Sequence, residues 1–370
     1  HQGVSRVGGD GVMAKLGDIA TYINGYAFKP QDWSDEGIPI IRIQDLTGNS
    51  YQANRYNGEY SSKYEVNDGD VLISWSASLG VYIWHGEKAV LNQHIFKVVF
   101  DKERISKDFF VHQVGLILEN AASDAHGATM KHLTKPVFDA LPFYLPPYEK
   151  QCEIAEVLDK VTSLISLRKQ QLAKLDELVK VRFVEMFGDP VVNSKRWPVE
   201  TIENHIDLLT GFPFDSSGYV SKGVNICGGL IIMPQKIDWS ACKHWPQITG
   251  YEDYILRPND IVIALDRPWI SNGFKIAMVD REHLPALLIQ RTARIRAVDI
   301  NQHYLMQSLL LGRFDKHCNI TGSLVPHISP KDIKSYSVMI PPIELQNQFS
   351  TFVERVDQQK QTVQQSLEKL

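Results

Sequence analysis

The sequence predicts a mixed α/β protein made of two duplicated globular halves separated by a pair of long antiparallel coiled-coil helices. Three observations predict it. At an offset of 195 residues, "GATMKHLTKPVFDALPFYLPP" (127–147) falls on "GSLVPHISPKDIKSYSVMIPP" (322–342), with the glycine, the histidine and the double proline coinciding. Three earlier pairs keep the same order: "INGYAF" with "LTGFPF", "NDGDVLISWSAS" with "RPNDIVIALDRP", and "LNQHIFKVVF" with "LIQRTARIRA". Such ordered self-similarity marks an internal duplication. Finally, each double proline opens a run with apolar residues at coiled-coil spacing.

A chain of 370 residues is long enough for two domains with separate cores. Its 44% hydrophobic and 22% charged residues exclude a disordered polymer. No run approaches the roughly 18 apolar residues of a membrane span. Residues 1–14, "HQGVSRVGGDGVMA", carry no signal-peptide pattern and read as a linker foreign to the fold, ahead of a natural start at Met13. Cys152, Cys227, Cys242 and Cys318 form no Cys-x-x-Cys half-site, so no metal is expected; free thiols fit a cytoplasmic location. The net charge of -4 argues against a partner held by bulk positive charge.

The globular halves are residues 15–148 and 188–341. Short runs such as "IPIIRI", "DVLISW", "HIFKVVF", "DIVIAL" and "ARIRAV" read as strands between Gly, Asp, Asn and Pro turns. "FFVHQVGLIL" and "YLMQSLLLG" read as helices. Residues 149–187 contain neither Pro nor Gly and end at "GDP", where Gly188 caps and Pro190 stops a helix. Stepping by four and three gives Ile154, Leu158, Val161, Ile165, Arg168, Leu172, Leu175, Val179, Arg182 and Met186, a seam broken only by two arginines. Residues 342–370 repeat it with Phe349, Val353, Val356, Lys360, Val363, Leu367 and Leu370. Either the two seams pack on each other, or each helix packs on its own half. If they pair they run antiparallel, because the intervening half carries the chain to the other end. Leu158, Ile165 and Leu172 are then expected to pack against the helix of Val353, Lys360 and Leu367. A helix of residues 149–187 spans about 58 Å, more than one turn of duplex DNA at about 34–36 Å.

"LPPY" (145–148) is close to the Asx-Pro-Pro-Tyr loop of adenine methyltransferases, in which Asx accepts a hydrogen bond from the base amino group. Leu145 removes that acceptor, and the second copy has Ile340 and Ile343. The double proline therefore reads as a hinge, with Glu149 and Glu344 in the first helical turn favoured by its dipole. No Gly-x-Ser-x-Gly elbow, Walker A loop or His-Glu-x-x-His motif is present, and no catalytic residue is assigned. His126, His132, His317 and His327 read as capping or core residues rather than a metal cluster.

The ordered set "KLGDIATYINGYAFKP", "NDGDVLIS", "LNQHIFKV", "LPFYLPPYEKQCEIAEVLD", "KVRFVEMFGD" and "YSVMIPPIELQNQFSTFVE" resembles the specificity subunit of type I restriction-modification enzymes over nearly all of residues 15–370. The resemblance implies two target recognition domains, 15–148 and 188–341, each reading one part of an interrupted double-stranded DNA target. It implies two spacer helices, 149–187 and 342–370, the second shorter than its counterpart. It also implies a subunit without catalytic residues or cofactors of its own. S-adenosylmethionine would belong to two modification subunits, and ATP and Mg to restriction subunits. The competing readings are a protein-interaction scaffold on a coiled-coil rod and an enzyme acting on nucleic acid.

The contacts to DNA are expected where the copies differ. In "SWSASLGVYIW" (74–84) these are Trp75, Ser76 and Ser78; in "ALDRPWISNGFK" (264–275) they are Arg267, Trp269, Asn272 and Lys275. Arg267 has the fork to bond a guanine edge, while Asn272 and Ser76 suit base or phosphate. Equally, the tryptophans suit anchoring and Arg267 a local salt bridge. Gln93 with Gln290, and His94 with Arg291, are expected on opposite faces of their strands, one of each pair approaching DNA. Thr129, Lys131, Ser323 and His327 are candidates for phosphate contacts. Residues 15–148 carry 12 basic against 16 acidic residues and 188–341 carry 16 against 15. That balance suits recognition inside a complex whose other subunits supply most phosphate contacts.

Overall fold

The computed structural model describes residues 5–6, 11–48, 54–76, 78–124, 134–318 and 327–370. The chain forms two compact units, residues 1–166 and 167–370, divided inside the first long helix, Tyr148–Phe187.

The first unit is built on a four-stranded antiparallel sheet in the spatial order Thr21–Asn24, Ile95–Val99, Val71–Ser74, Gly80–Ile83. Val71–Ser74 is buried at every position. Its continuous apolar run reflects cover on both faces, where a half-solvated strand would alternate. Val71 and Ile73 enter one core with Phe110, Val114 and Phe138, beneath the helix Lys107–Asp124. Leu72 points the other way into a second core with Ile41, Val66 and Leu91. That second core is roofed by a small sheet in which Ile38–Ile41 runs parallel to Ala89–Leu91. Val12–Lys15 pairs with Pro142–Leu145, and Ser5–Arg6 folds back on it, so Met13 lies within a strand.

The second unit has the same order: Ile206–Thr210, Thr292–Ala297, Ile261–Ala264, Ile276–Met278, all antiparallel. Ile261 and Ile263 enter one core with Leu305 and Leu309 of the helix Gln302–Leu311, and Val262 enters the other. A parallel pair again covers that side, Val224–Cys227 with Ala286–Leu288. The runs expected as strands and helices form them.

The double prolines are hinges held by a buried glutamine. Gln151 Oε1 accepts from Ser106 N at 2.9 Å and its Nε2 donates to Pro146 O at 2.9 Å. Gln346 does the same to Asn301 N at 2.8 Å and Pro341 O at 2.7 Å. All three positions obey the offset of 195. Tyr148 packs under the Arg104 guanidinium, 4.0 Å from its ring centroid.

Within the second unit the end of the first long helix packs against the second, Ile343–Glu368. Phe183 and Phe187 meet Phe349, whereas Asp176 meets Lys360, so the two directions are opposed. Leu175, Val179, Val353 and Val356 fill this seam, and Val363 is buried. Leu172 and Leu367 are half-buried. Lys360 interrupts the apolar pattern at little cost because Asp176 lies 2.5 Å from its ammonium and Asp357 3.5 Å. One expectation is corrected. Leu158 is 37% exposed, and within the second unit the second helix takes its partners from the last turns of the first. Ile154 instead packs on the first unit's own core, and Val161 and Ile165 are half-buried.

Candidate nucleic-acid interface

Each unit knits three loops together at one end of its main sheet. In the first, Tyr26 N donates to Leu91 O and Gln93 N donates to Tyr26 O, both at 2.8 Å, while Trp75 N donates to His94 O at 3.2 Å. In the second, Phe212 N donates to Leu288 O at 3.0 Å, Gln290 N to Phe212 O at 2.8 Å, and Leu265 N to Arg291 O at 2.9 Å. The Gly–aromatic pair of "INGYAF" and "LTGFPF" makes this possible. A Cβ on Gly25 would lie 1.9 Å from Asn92 O, and one on Gly211 2.0 Å from Ile289 O, so only glycine permits the approach.

The expected strand positions of Gln93, His94, Gln290 and Arg291 are corrected: all four lie in turns. His94 and Arg291 adopt positive φ, 73° and 65°, which reverses the chain before the next strand starts at Ile95 or Thr292. Period-two alternation does not apply there. Gln290 and Arg291 are exposed, and Gln93 and His94 half-buried.

In the second unit Asp266 gathers the neighbouring side chains. Its Oδ2 accepts from Arg291 Nη1 at 2.7 Å, and its Oδ1 lies 2.5 Å from His327 Nδ1. Burial alone would raise the Asp266 carboxyl, but His327 and Arg291 outweigh it and hold the group below the usual carboxylate range. The Arg291 side chain remains 74% exposed. Arg267 is exposed at φ 47° with no hydrogen-bond partner among the described residues. Asn272 is exposed in the turn between Trp269–Ile270 and Gly273–Phe274. Trp269 packs on Phe274 and on the core, which is the anchoring role. Lys275 leaves the candidate set: it is 6% exposed, donates to Gly229 O, and burial lowers its pKa.

In the first unit Trp75 stacks on Phe96, meets His94 edge-to-face, and donates from Nε1 to Asn24 Oδ1 at 3.2 Å. Ser76 is buried, so its hydroxyl does not face a ligand, whereas Ser78 is exposed. Thr129, Lys131 and Ser323, with His126 and His132, lie outside the described residues. His317 bonds Asp332 O and Ser335 Oγ within its own unit. No metal-binding group of His, Cys, Asp and Glu occurs among the described residues, and no described helix is long and apolar enough to cross a membrane.

Asp266 and Asn24 were not singled out by the sequence. The available signal for Asp266 was its place between a buried strand and Arg267, but its two partners are distant in sequence.

Comparison with known proteins agrees with this picture. A family model described as the type I restriction modification DNA specificity domain matches residues 10–177. The chain is similar to the type I restriction enzyme MjaVIII specificity subunit of Methanocaldococcus jannaschii, with 25% identity over 95% of this chain and 87% of that one. It is also similar to the EcoBI specificity subunit of Escherichia coli, with 28% identity over 61% of this chain and 44% of the relative. Among solved structures, the S subunit of a type I system from M. genitalium aligns over 100% of this chain and 94% of its own, at 13% identity and a TM-score of 0.58. A chain from a study of type I restriction-modification assembly aligns over 99% and 94%, at 14% identity and a TM-score of 0.52. At these identities the structural matches speak for the fold.

Proposed function

Because the chain belongs to the specificity subunits of type I restriction-modification systems, a family whose role is DNA sequence recognition, we propose that it reads an interrupted target, one part per unit. The observation that carries this reading is the repeated three-loop end. Both units share its backbone hydrogen bonds, yet Trp75, Ser76 and His94 stand in one where Leu265, Asp266 and Arg291 stand in the other. A common frame with different side chains is what two readers of unlike half-sites require. The internal duplication read from the sequence explains why the frames agree.

The long helices serve as the spacer. The chain performs no chemistry. Two modification subunits bring S-adenosylmethionine and methylate adenine N6 at the sites it selects, and restriction subunits bring ATP and Mg for cleavage. The modest charge of the two halves suits this division, since partners then supply much of the phosphate affinity.

The test is sequencing of modified adenines in cells that express the chain with its modification partners. Exchanging residues 188–341 for the equivalent part of a relative should alter one part of the motif. Adding one turn to both helices, about 5.4 Å, should lengthen the unspecified gap and leave both specific parts intact. An exchange that altered both parts, or an insertion that left the gap unchanged, would overturn the reading.

A further inference from the structure

We propose that the second unit's half-site contains a G·C pair read by Arg291, with Asp266 as the positioning residue that aims its guanidinium. This rests on the function proposed above and deepens it.

An arginine recognises guanine by offering two parallel N–H donors to O6 and N7 in the major groove. A free arginine holding many rotamers loses that fork to conformational entropy, whereas one tied at a single nitrogen keeps it pre-aimed. Arg291 is tied in this way. Among the described residues only Nη1 is spent, on Asp266 Oδ2 at 2.7 Å, and the side chain is 74% exposed. Its backbone is fixed as well: the turn has φ 65°, and Arg291 O accepts from Leu265 N at 2.9 Å. Asp266 is fixed from the other side, because His327 Nδ1 lies 2.5 Å from Oδ1 and Ile328 N donates to Leu265 O at 2.8 Å. Two chain segments thus brace the carboxylate that braces the arginine.

Arg267, nearer in sequence to the loop tip, has no such brace among the described residues and suits a phosphate, which accepts a donor from many directions. The first unit lacks the device. Its corresponding positions are Ser76 and His94, so the inference applies to one half-site only.

The experiment uses the full chain assembled with its modification subunits. The wild-type motif is first read by modified-adenine sequencing, and discrimination is then measured with duplexes substituted one base pair at a time in the half-site assigned to residues 188–341. Arg291→Ala should lose roughly 5- to 150-fold of discrimination at a single G·C pair. Arg291→Lys should not restore it, because a point charge lacks the fork. Asp266→Asn should lose discrimination at that same pair. The double variant Asp266→Asn with Arg291→Ala should be no worse there than Arg291→Ala alone. A purely structural role for Asp266 would instead lower binding at all base pairs together and melt the unit. Arg291 is so exposed that its variants test the inference even if Asp266→Asn fails to fold.

A half-site without a G·C pair, or an Arg291→Ala motif identical to wild type, overturns this inference and leaves the two-reader function standing. Failure of the domain exchange to alter a single part of the motif sinks the function itself.

Discussion

Replacing Gln346 by alanine should cost the second unit about 2–5 kcal/mol. The side chain is 1% exposed and saturates two backbone groups, Asn301 N at 2.8 Å and Pro341 O at 2.7 Å. Truncation leaves a buried donor and a buried acceptor without partners, each worth about 1–3 kcal/mol when dry. The lost volume adds a cavity term, and a water entering that polar gap would return part of the total. Gln346→Leu refills the volume without pairing either group, so it should rescue less than half. Urea unfolding of the full chain gives the stability, and peptide-resolved amide exchange tests the cause, because the Asn301 amide should lose protection first. Gln151→Ala should behave alike in the first unit, where Ser106 N and Pro146 O are the orphans. A loss below about 0.5 kcal/mol, with the Asn301 amide still protected, would show that the clamp contributes nothing and that the hinge is held elsewhere.

Val356→Asp should destabilise the helix pair of the second unit by several kcal/mol, since the site is 3% exposed among Leu175, Val179 and Phe349 and offers a carboxylate no water; unchanged melting would refute a buried seam. His205 lies buried between Asp299 at 2.8 Å and Glu200 at 3.2 Å. Burial lowers its pKa, but hydrogen bonds to Asp299 and Glu200 outweigh this and set it above the ordinary histidine value. A raised folded-state pKa means the stabilisation is complete below the unfolded value near 6.5 and fades as pH rises through the folded one. The Tm gap between wild type and His205→Gln should therefore shrink from pH 6 to pH 9; a constant gap would contradict a charged His205.

The repeated stretches could be read because their markers are backbone requirements. Gly25 and Gly211 recur because a neighbouring carbonyl leaves no room for a Cβ. Asp70 and Asp260 recur because each accepts from the residue three before it, Asn67 N at 2.9 Å and Arg257 N at 2.7 Å. Between them Gly69 and Asn259 share positive φ, 81° and 68°, a conformation glycine and asparagine both tolerate. Side-chain roles were harder to read. Lys275 looked like a surface base until the sheet buried it, and Trp75 and Trp269 proved to be packed. The turn at Gln93–His94 was hidden inside what looked like one strand. Two residues of reversal have no periodicity, and Arg291 is not a typical left-handed residue. Asp266 escaped because its partners, 25 and 61 residues away, meet only in the fold.

The placement of variation bears on how such a reader changes its target. The backbone bonds that hold the three loops use N–H and C=O groups, which every residue except proline supplies. The side chains of Asp266 and Arg291 make none of these backbone bonds, and the turn at Arg291 demands only a residue tolerating positive φ. Exchanging Asp266 and Arg291 together would remove one guanine reader without disturbing Leu265 N, Arg291 O or the sheet beneath. Exchanging Arg291 alone would leave a half-buried carboxylate near the DNA phosphates, with His327 its one remaining charged partner among the described residues. That repulsion would disfavour every target, not just the lost base pair. On this reasoning the two positions change as a pair or not at all. On the proposed reading, specificity can then drift at one unit while the other, with His94 at the corresponding turn, is left unchanged.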